Sequence, residues 1–243
     1  MAILIVIIGY CIYIIYFDTP SEYPVYTPPE PSVITIAEKQ TMFAKTENVI
    51  KFDYYQKEVN EEIYAWIQIP NTKVNYPVLQ SKISNKYYLD RTEKRKKSLY
   101  GAIYTENYNT KTFNDYNTII YGHNMTNETM FGNLRKYKER KFFDEHKTIY
   151  IYTPDKMLIY KILAAYTEND DHLMSANDFN NEEGFQKYLD KINTQRKEDG
   201  VYDEHVKLTV NDRIITLSTC VGDGSTNKRF LVQAYLDEIY EYN

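Results

Sequence analysis

The chain has 243 residues, of which 43% are hydrophobic and 26% are charged, as in an ordinary globular protein with one folded domain and an appendage. Its net charge of −5 at pH 7 excludes a nucleic-acid-binding protein, which would carry an excess of basic residues on one face. Of the two cysteines, Cys11 lies in an apolar N-terminal run, which leaves Cys220 as the lone thiol of the folded part.

The N-terminal segment, residues 1–17, is predicted to be a membrane anchor. Residues 2–17 carry no charge and would form a helix of about 24 Å, which is marginal for a hydrocarbon core of about 30 Å. A cleaved signal peptide and a buried core helix are the alternatives. No small-residue cleavage site follows, however, and the helix would be apolar all round. No Lys or Arg follows this segment before Lys39, so the positive-inside rule gives no reason to place the following domain in the cytoplasm, and we expect a single-pass protein of the cell membrane with an extracellular catalytic domain.

Residues 18–35 are predicted to be a linker, and residues 36–243 a single catalytic domain. The linker is rich in proline and therefore favours an extended polyproline spacer. Its prolines are Pro20, Pro24, Pro28, Pro29 and Pro31. The domain then opens with apolar residues at helical spacing, namely Ile36, Phe43, Ile50 and Tyr54.

The rest of the domain is predicted to be mainly β. Single strands are indicated at residues 64–69, 118–121 and 230–236. Two hairpins are indicated, one joining residues 149–152 to 157–165 and the other joining 206–210 to 213–218.

One helix interrupts the strands, within residues 180–197. Its apolar residues Phe185, Tyr188, Leu189 and Ile192 recur on one face. Many short strands with few helices predict a closed or nearly closed barrel with helical additions.

Cys220 is the first candidate functional residue. It ends a β-type run and precedes Gly222 and Gly224, so the thiol is expected where a strand gives way to a flexible loop. A buried structural cysteine is the alternative. An unpaired thiol in an exported chain is exposed to oxidation, which favours a catalytic role.

A nucleophilic cysteine needs a base, and the chain has four histidines. His123 follows the strand 118–121 and a glycine, at the kind of strand end where barrels place reacting groups. His146 lies in a charged stretch typical of a helix end, and His205 is expected to be exposed. His172 follows two aspartates, whose spacing matches no pattern of metal ligands. By elimination and by setting, His123 is the candidate base.

Arg229 opens the strand 230–236, nine residues after Cys220. If the strand that ends at Cys220 and the strand 230–236 are neighbours, the Arg229 guanidinium lies beside the thiol and can stabilise a thiolate or an oxyanion. An arginine on an edge strand, exposed to solvent, is the alternative.

Three segments, in this order, resemble the sortase family of cysteine transpeptidases. Residues 121–124 resemble its histidine loop, residues 216–220 its T-L-x-T-C signature, and residues 229–232 its arginine strand. Residues 66–72, 76–80, 88–89 and 129–131, together with the helix 185–192, resemble class B sortases. The resemblance covers residues 36–236.

The resemblance implies a closed eight-stranded sortase-type β-barrel with N-terminal helices and one inserted helix before the cysteine strand. It implies that Cys220 is the nucleophile, that His123 is the general acid and base, and that Arg229 binds the substrate and stabilises the oxyanion. Asn85, Leu89, Tyr121 and Ser218 match positions that line the substrate groove of the family.

The same resemblance implies the reaction and the partners. A surface protein is cleaved after Thr in a C-terminal sorting motif, held as a thioester, and transferred to an amine of peptidoglycan or its lipid-linked precursor. No metal or organic cofactor is implied. The chain departs from the family pattern directly after Cys220 and in residues 167–176.

Two other functions stay open from the residues alone. A secreted cysteine protease would hydrolyse the same thioester, and a non-catalytic, membrane-tethered binding module would hold an inert thiol. The basic run at residues 91–97 is interpreted as a solvated loop, with a site for an anionic partner as the alternative.

Overall fold

The computed structural model of the protein describes residues 48–221 and 227–242. The predicted anchor, the predicted linker and the first apolar residues of the predicted N-terminal helix, Ile36 and Phe43, therefore lie outside the described residues. Within the described ranges, no helix combines the length and the apolar character needed to cross a bilayer.

Eight strands form a closed barrel. In the sheet, β5 and β6 stand at opposite ends of the order β5-β1-β2-β3-β4-β8-β9-β6, and they pair with each other to close it. The short β7 adds to the outer side of β6. The prediction of a mainly β, closed eight-stranded barrel is confirmed. The strands are β1 (Ile63–Gln68), β2 (Asn75–Leu79), β3 (Ile103–Thr105), β4 (Asn117–Tyr121), β5 (Thr148–Tyr152), β6 (Lys156–Asn169), β7 (Val201–Tyr202), β8 (Ile214–Cys220) and β9 (Lys228–Glu241).

Helices in the described residues are short, apart from one. They are α1 (Phe52–Tyr54), a π-helical turn (Tyr55–Val59), two 3-10 helices (Tyr87–Leu89 and Gly132–Lys138), α2 (Arg140–Glu145), α3 (Leu173–Ala176) and α4 (Glu182–Thr194).

Helix α4 is the inserted helix expected before the cysteine strand. The Asn181 side chain caps it by accepting the Gly184 N–H at 2.9 Å, and two acidic residues in its first turn suit the helix dipole. Its predicted apolar face is buried and packs against Ile214 of β8.

The barrel is filled by alternate residues of its strands. In β1, Ala65 and Ile67 point into the interior cluster, whereas Trp66 faces outward. Trp66 is nevertheless only 1% exposed, because it is covered from outside by Tyr55, with ring centroids 4.9 Å apart. The strand is thus buried on both faces, which explains its continuous apolar sequence.

The hairpin predicted between β5 and β6 is confirmed, but the one predicted for residues 206–218 is wrong. Strand β8 pairs in parallel with β4 and antiparallel with β9, and residues 206–210 form no strand. The Asp212 carboxylate accepts hydrogen bonds from the N–H (2.7 Å) and the hydroxyl (3.0 Å) of Thr209. These local bonds fold the segment into a turn in place of a β ladder.

The parallel pairing of β4 with β8 determines where functional groups can meet. Parallel strands end at the same edge of a sheet, so the loop after β4 and the end of β8 share one rim of the barrel. The β8–β9 pairing brings the start of β9 to the same rim.

Candidate active site

Cys220 and Arg229 are direct partners across the β8–β9 ladder. The Arg229 Nη1 atom donates a hydrogen bond to the Cys220 Sγ atom at 2.6 Å. Strand β9 lies between β8 and β6, so Arg229 is not on an edge strand, and it is only partly exposed. The thiol is also partly exposed, unlike a buried structural cysteine. The predicted contact between cysteine and arginine is therefore present.

His123 lies two residues past the end of β4, on the same rim. The Gly122 N–H donates to the Ser218 carbonyl at 3.2 Å, which extends the β4–β8 ladder by one residue. The His123 Nε2 atom lies 2.7 Å from the Leu89 carbonyl oxygen. A carbonyl oxygen can only accept, so Nε2 carries a proton, and Nδ1 remains as the ring nitrogen that can exchange a proton with a reactant.

Two glycines make this arrangement of His123 possible. Gly101 has a φ of +58°, and a Cβ atom there would lie 2.7 Å from the Leu89 carbonyl oxygen and 3.0 Å from His123 Cδ2. A Cβ on Gly122 would lie 2.5 Å from Ile103 Cδ1 and 2.7 Å from Phe131 Cδ2. Both sites exclude a side chain, because the backbone passes too close to its neighbours.

A cavity of about 260 Å³ brings the three candidate catalytic residues together. We refer to it as the rim groove. It is lined by His123, Cys220 and Arg229, by the predicted substrate residues Leu89, Tyr121 and Ser218, and by Tyr104, Glu106 and His172, among others. The Asn85 side chain has a different place in the structure, because its Oδ1 atom accepts the Asn107 N–H at 2.9 Å in a neighbouring loop.

Two stacked tyrosines form one wall of the rim groove. The rings of Tyr104 and Tyr121 lie 5.4 Å apart and 25° from parallel. Burial raises the pKa of both phenols well above the ordinary value, and the nearby Glu106 carboxylate raises it further. Both phenols therefore stay neutral at physiological pH and can donate hydrogen bonds, but they cannot act as bases.

Glu106 and His172 are groove residues that the sequence did not reveal. The His172 Nε2 atom and the Glu106 Oε2 atom lie 2.6 Å apart, and the Glu106 side chain is only 10% exposed. The only sequence signal was the polar surroundings of His172, and its partner lies 66 residues away. Within residues 48–221 and 227–242, no three His, Cys, Asp or Glu side chains are grouped as metal ligands.

The other histidines lie elsewhere. His146 follows the end of α2, where its Nδ1 atom accepts a hydrogen bond from the Asn71 amide at 3.1 Å, and His205 is exposed. In the basic run, Arg91 and Lys97 pair with Asp90, and Arg95 pairs with Glu61. Arg91 is partly exposed and the other side chains of these pairs are more exposed, which supports the interpretation as a solvated loop.

Comparison with known proteins places the chain in one family. The family model described as the sortase domain matches residues 67–237. Sortase B of Listeria monocytogenes is 37% identical over 181 residues, which cover 74% of this chain and 72% of that protein. Sortase B of Staphylococcus aureus is 31% identical over 242 residues, which cover 98% of this chain and 94% of that protein.

Solved structures agree with the sequence comparison. A Staphylococcus aureus sortase B–substrate complex superposes with a TM-score of 0.69 at 31% identity, covering 83% of this chain and 94% of that one. Clostridium perfringens sortase B superposes with a TM-score of 0.68 at 31% identity, covering 76% of this chain and 100% of that one. The chain therefore belongs to the sortase family of cell-wall sorting cysteine transpeptidases and resembles its class B members in both sequence and fold.

Proposed function

We propose that the protein cleaves a C-terminal sorting motif after Thr, holds the protein substrate as a thioester on Cys220, and transfers it to an amine of peptidoglycan or its lipid-linked precursor. The contact between Cys220 Sγ and Arg229 Nη1, in a groove that also holds His123, is the observation that supports this most. In this proposal Cys220 is the nucleophile, Arg229 the cation and His123 the proton carrier at one reacting position.

In the first half-reaction, the thiol proton passes to His123 Nδ1 and the sulfur attacks the Thr carbonyl carbon. The carbonyl oxygen becomes an oxyanion, which accepts hydrogen bonds from the Arg229 guanidinium. The C–N bond of the peptide then breaks, and the leaving amine takes the proton from His123. The product is a thioester between Thr and Cys220.

In the second half-reaction, an amine attacks the thioester carbonyl carbon. His123 takes a proton from the attacking nitrogen, the C–S bond breaks, and this proton returns the sulfur to its resting state. Arg229 again faces the oxyanion. Water in place of the amine would give hydrolysis, as in the alternative function of a cysteine protease.

The walls of the rim groove suit a peptide substrate. Leu89 has 43% of its surface exposed and offers an apolar contact, and the neutral Tyr121 hydroxyl, which donates to Glu106 Oε2 at 3.4 Å, can accept a hydrogen bond from the peptide. Ser218 lies on the same face of β8 as Cys220 and borders the groove. We propose these three as substrate-binding residues, with Asn85 acting through the neighbouring loop that it holds.

We also propose that residues 1–17 anchor the protein in the cell membrane and that residues 18–35 hold the domain of residues 36–243 on the outer side. The apolar run and the proline-rich linker support this arrangement. Deletion of residues 1–17 should release the protein from membranes into the soluble fraction of a cell lysate.

The test of the reaction uses the domain without residues 1–35 and its Cys220→Ala variant. Each is incubated with fluorogenic peptides that carry candidate sorting motifs, with and without a diaminopimelate-type or glycine-type amine, and the products are identified by mass spectrometry. A thioester adduct on Cys220 and an amine-ligated product, both absent from the variant, are the expected results.

Other outcomes would contradict the proposal in distinct ways. Hydrolysis that no added amine converts to ligation would support the protease. Failure of wild-type Cys220 to react with a thiol alkylator in the folded state, together with inertness toward every peptide, would support the binding module.

A further inference from the structure

A second and larger cavity, of about 770 Å³, also reaches Cys220. We refer to it as the charged cavity. Its lining includes Thr219, Cys220 and Phe230 and five charged residues, Glu128, Arg135, Lys136, Lys138 and Glu139. Among the described residues, Cys220 is the only one that lines both this cavity and the rim groove.

The two cavities open on opposite faces of the β8–β9 ladder. Successive side chains of a strand point to opposite faces of the sheet. Ser218 and its partner Leu231 line the rim groove, whereas Thr219 and its partner Phe230 line the charged cavity. Cys220 ends β8 and lies at the point where both faces meet the rim. One sulfur atom is therefore accessible from two sides.

Two charged side chains of the charged cavity have no ion-pair partner among the described residues. Arg135 and Lys136 share Glu128, at 3.2 Å and 3.8 Å. Lys138 lies with its Nζ atom 5.0 Å from the centre of the Phe230 ring, and Glu139 follows it in sequence. In the part of the chain that the structure describes, neither Lys138 nor Glu139 forms an ion pair, and both are exposed. Among the described residues, one cation and one anion without an ion-pair partner therefore line the same cavity as the nucleophile.

We propose that the charged cavity binds the acceptor of the transfer reaction, and that this acceptor is a peptide amine with a carboxylate next to it. This proposal rests on the proposed function. The Lys138 ammonium pairs with the carboxylate, and the Glu139 carboxylate pairs with the ammonium of the acceptor. The donor chain lies in the rim groove, so the acceptor reaches the thioester from the opposite face and the two substrates do not compete for space.

Protons balance in this scheme. The bound ammonium first loses one proton to water and becomes a free amine. The amine nitrogen attacks the thioester carbonyl carbon, and a second proton passes from this nitrogen to His123. The C–S bond then breaks, the sulfur takes the proton from His123, and the new amide bond remains on the product.

The experiment compares two acceptors that differ only in the carboxylate. One is a short stem-type peptide with a diaminopimelate residue, and the other is the same peptide with lysine, which has the amine but lacks the adjacent carboxylate. Ligation and hydrolysis of one donor peptide are measured against acceptor concentration. The proteins are the wild-type domain, Lys138→Glu, and Lys141→Glu as the matched control. Lys141 lies three residues away in α2, is exposed, and does not line the cavity.

We expect Lys138→Glu to raise the KM for the diaminopimelate peptide by about fivefold or more, with less than about a twofold change for the lysine peptide. The rate of thioester formation should stay the same, because the donor binds on the other face. Lys141→Glu should behave as wild type. An unchanged KM in Lys138→Glu, an equal rise in Lys141→Glu, or an equal rise for both acceptors would overturn the proposal.

Failure of the proposed function would look different. If no thioester adduct forms on wild-type Cys220, the proposed reaction is wrong, and direct binding then decides the role of the cavity. For this, the diaminopimelate peptide is titrated into wild type and Lys138→Glu and followed by NMR. Weaker binding in the variant would keep the assignment of the cavity, and equal binding or no binding would reject it.

Discussion

Replacement of Gly101 by alanine should damage both the stability of the fold and the orientation of His123. Gly101 has a φ of +58°, in the left-handed region that costs an L-residue roughly 1–2 kcal/mol. The new Cβ would also lie 2.7 Å from the backbone oxygens of Leu89 and Tyr88, well inside normal contact. These backbone oxygens cannot relieve the clash by a change of rotamer, as a side chain could. We therefore expect Gly101→Ala to lower the free energy of unfolding by about 2–4 kcal/mol.

The same clash should reduce catalysis, because the Leu89 oxygen is the acceptor of the His123 Nε2 proton. If this oxygen moves, the imidazole loses a hydrogen bond worth roughly 0.5–1.5 kcal/mol, which corresponds to about a 2- to 12-fold loss in kcat/KM.

The assay combines urea unfolding with steady-state kinetics on a fluorogenic donor peptide. Gly101→Asn is the matched variant, because asparagine tolerates positive φ but carries the same Cβ. It should regain part of the stability while the catalytic loss remains. A Gly101→Ala protein with both wild-type stability and wild-type kcat/KM would refute the reasoning.

Three further predictions concern ionic contacts. Arg229→Lys should lower kcat/KM by about 10²–10³-fold in the peptide assay, since an ammonium cannot present the planar fork of a guanidinium; retention of near wild-type activity would contradict this. His172→Phe should raise the KM for the donor peptide about fivefold with little change in kcat, since the Glu106 carboxylate in the groove loses its partner at 2.6 Å and keeps only the longer contact with the Tyr121 hydroxyl; an unchanged KM would contradict this. Burial alone would raise the pKa of Asp203, but hydrogen bonds from Lys147 at 2.5 Å and from the His205 N–H hold the pKa below its ordinary value. The resulting stability is present above the unfolded pKa of about 4 and is lost as the pH falls through the folded pKa, so urea unfolding should show a stability deficit of Asp203→Asn at about pH 7 that shrinks toward about pH 3. A deficit that does not depend on pH would contradict this.

The parts of the site that depend on short-range patterns could be predicted from the sequence. One β-type run ends in Cys220, glycines follow it, and a second β-type run opens with Arg229. With Arg229 only nine residues after Cys220, the two runs become antiparallel neighbours in the sheet. The helix α4 also followed from its periodicity, because its apolar residues needed only one partner surface.

The contacts that depend on distant residues could not be predicted in this way. The acceptor of the His123 proton is the backbone carbonyl of Leu89, 34 residues earlier. Every residue has a backbone carbonyl, so the identity of residue 89 does not reveal this contact. The hairpin predicted for residues 206–218 was wrong for a related reason. Two alternating segments around an Asn-Asp turn fit a hairpin locally, but β8 found its partners in β4 and β9.

The geometry of the site is therefore maintained by the barrel core and not by the site residues themselves. The register of β8 against β9 is determined by interior pairs, Leu217 with Val232 and Ile215 with Ala234, all of them buried. A slip of β9 by one residue would turn its interior side chains Phe230, Val232 and Ala234 out of the core and would move Arg229 to the opposite face from Cys220. The burial of these apolar side chains of β9 opposes the slip by several kcal/mol, at about 25 cal/mol per Å² of apolar surface. The contact between sulfur and guanidinium is thus fixed before any substrate arrives, and so is the separation of the rim groove from the charged cavity on the other face of the ladder.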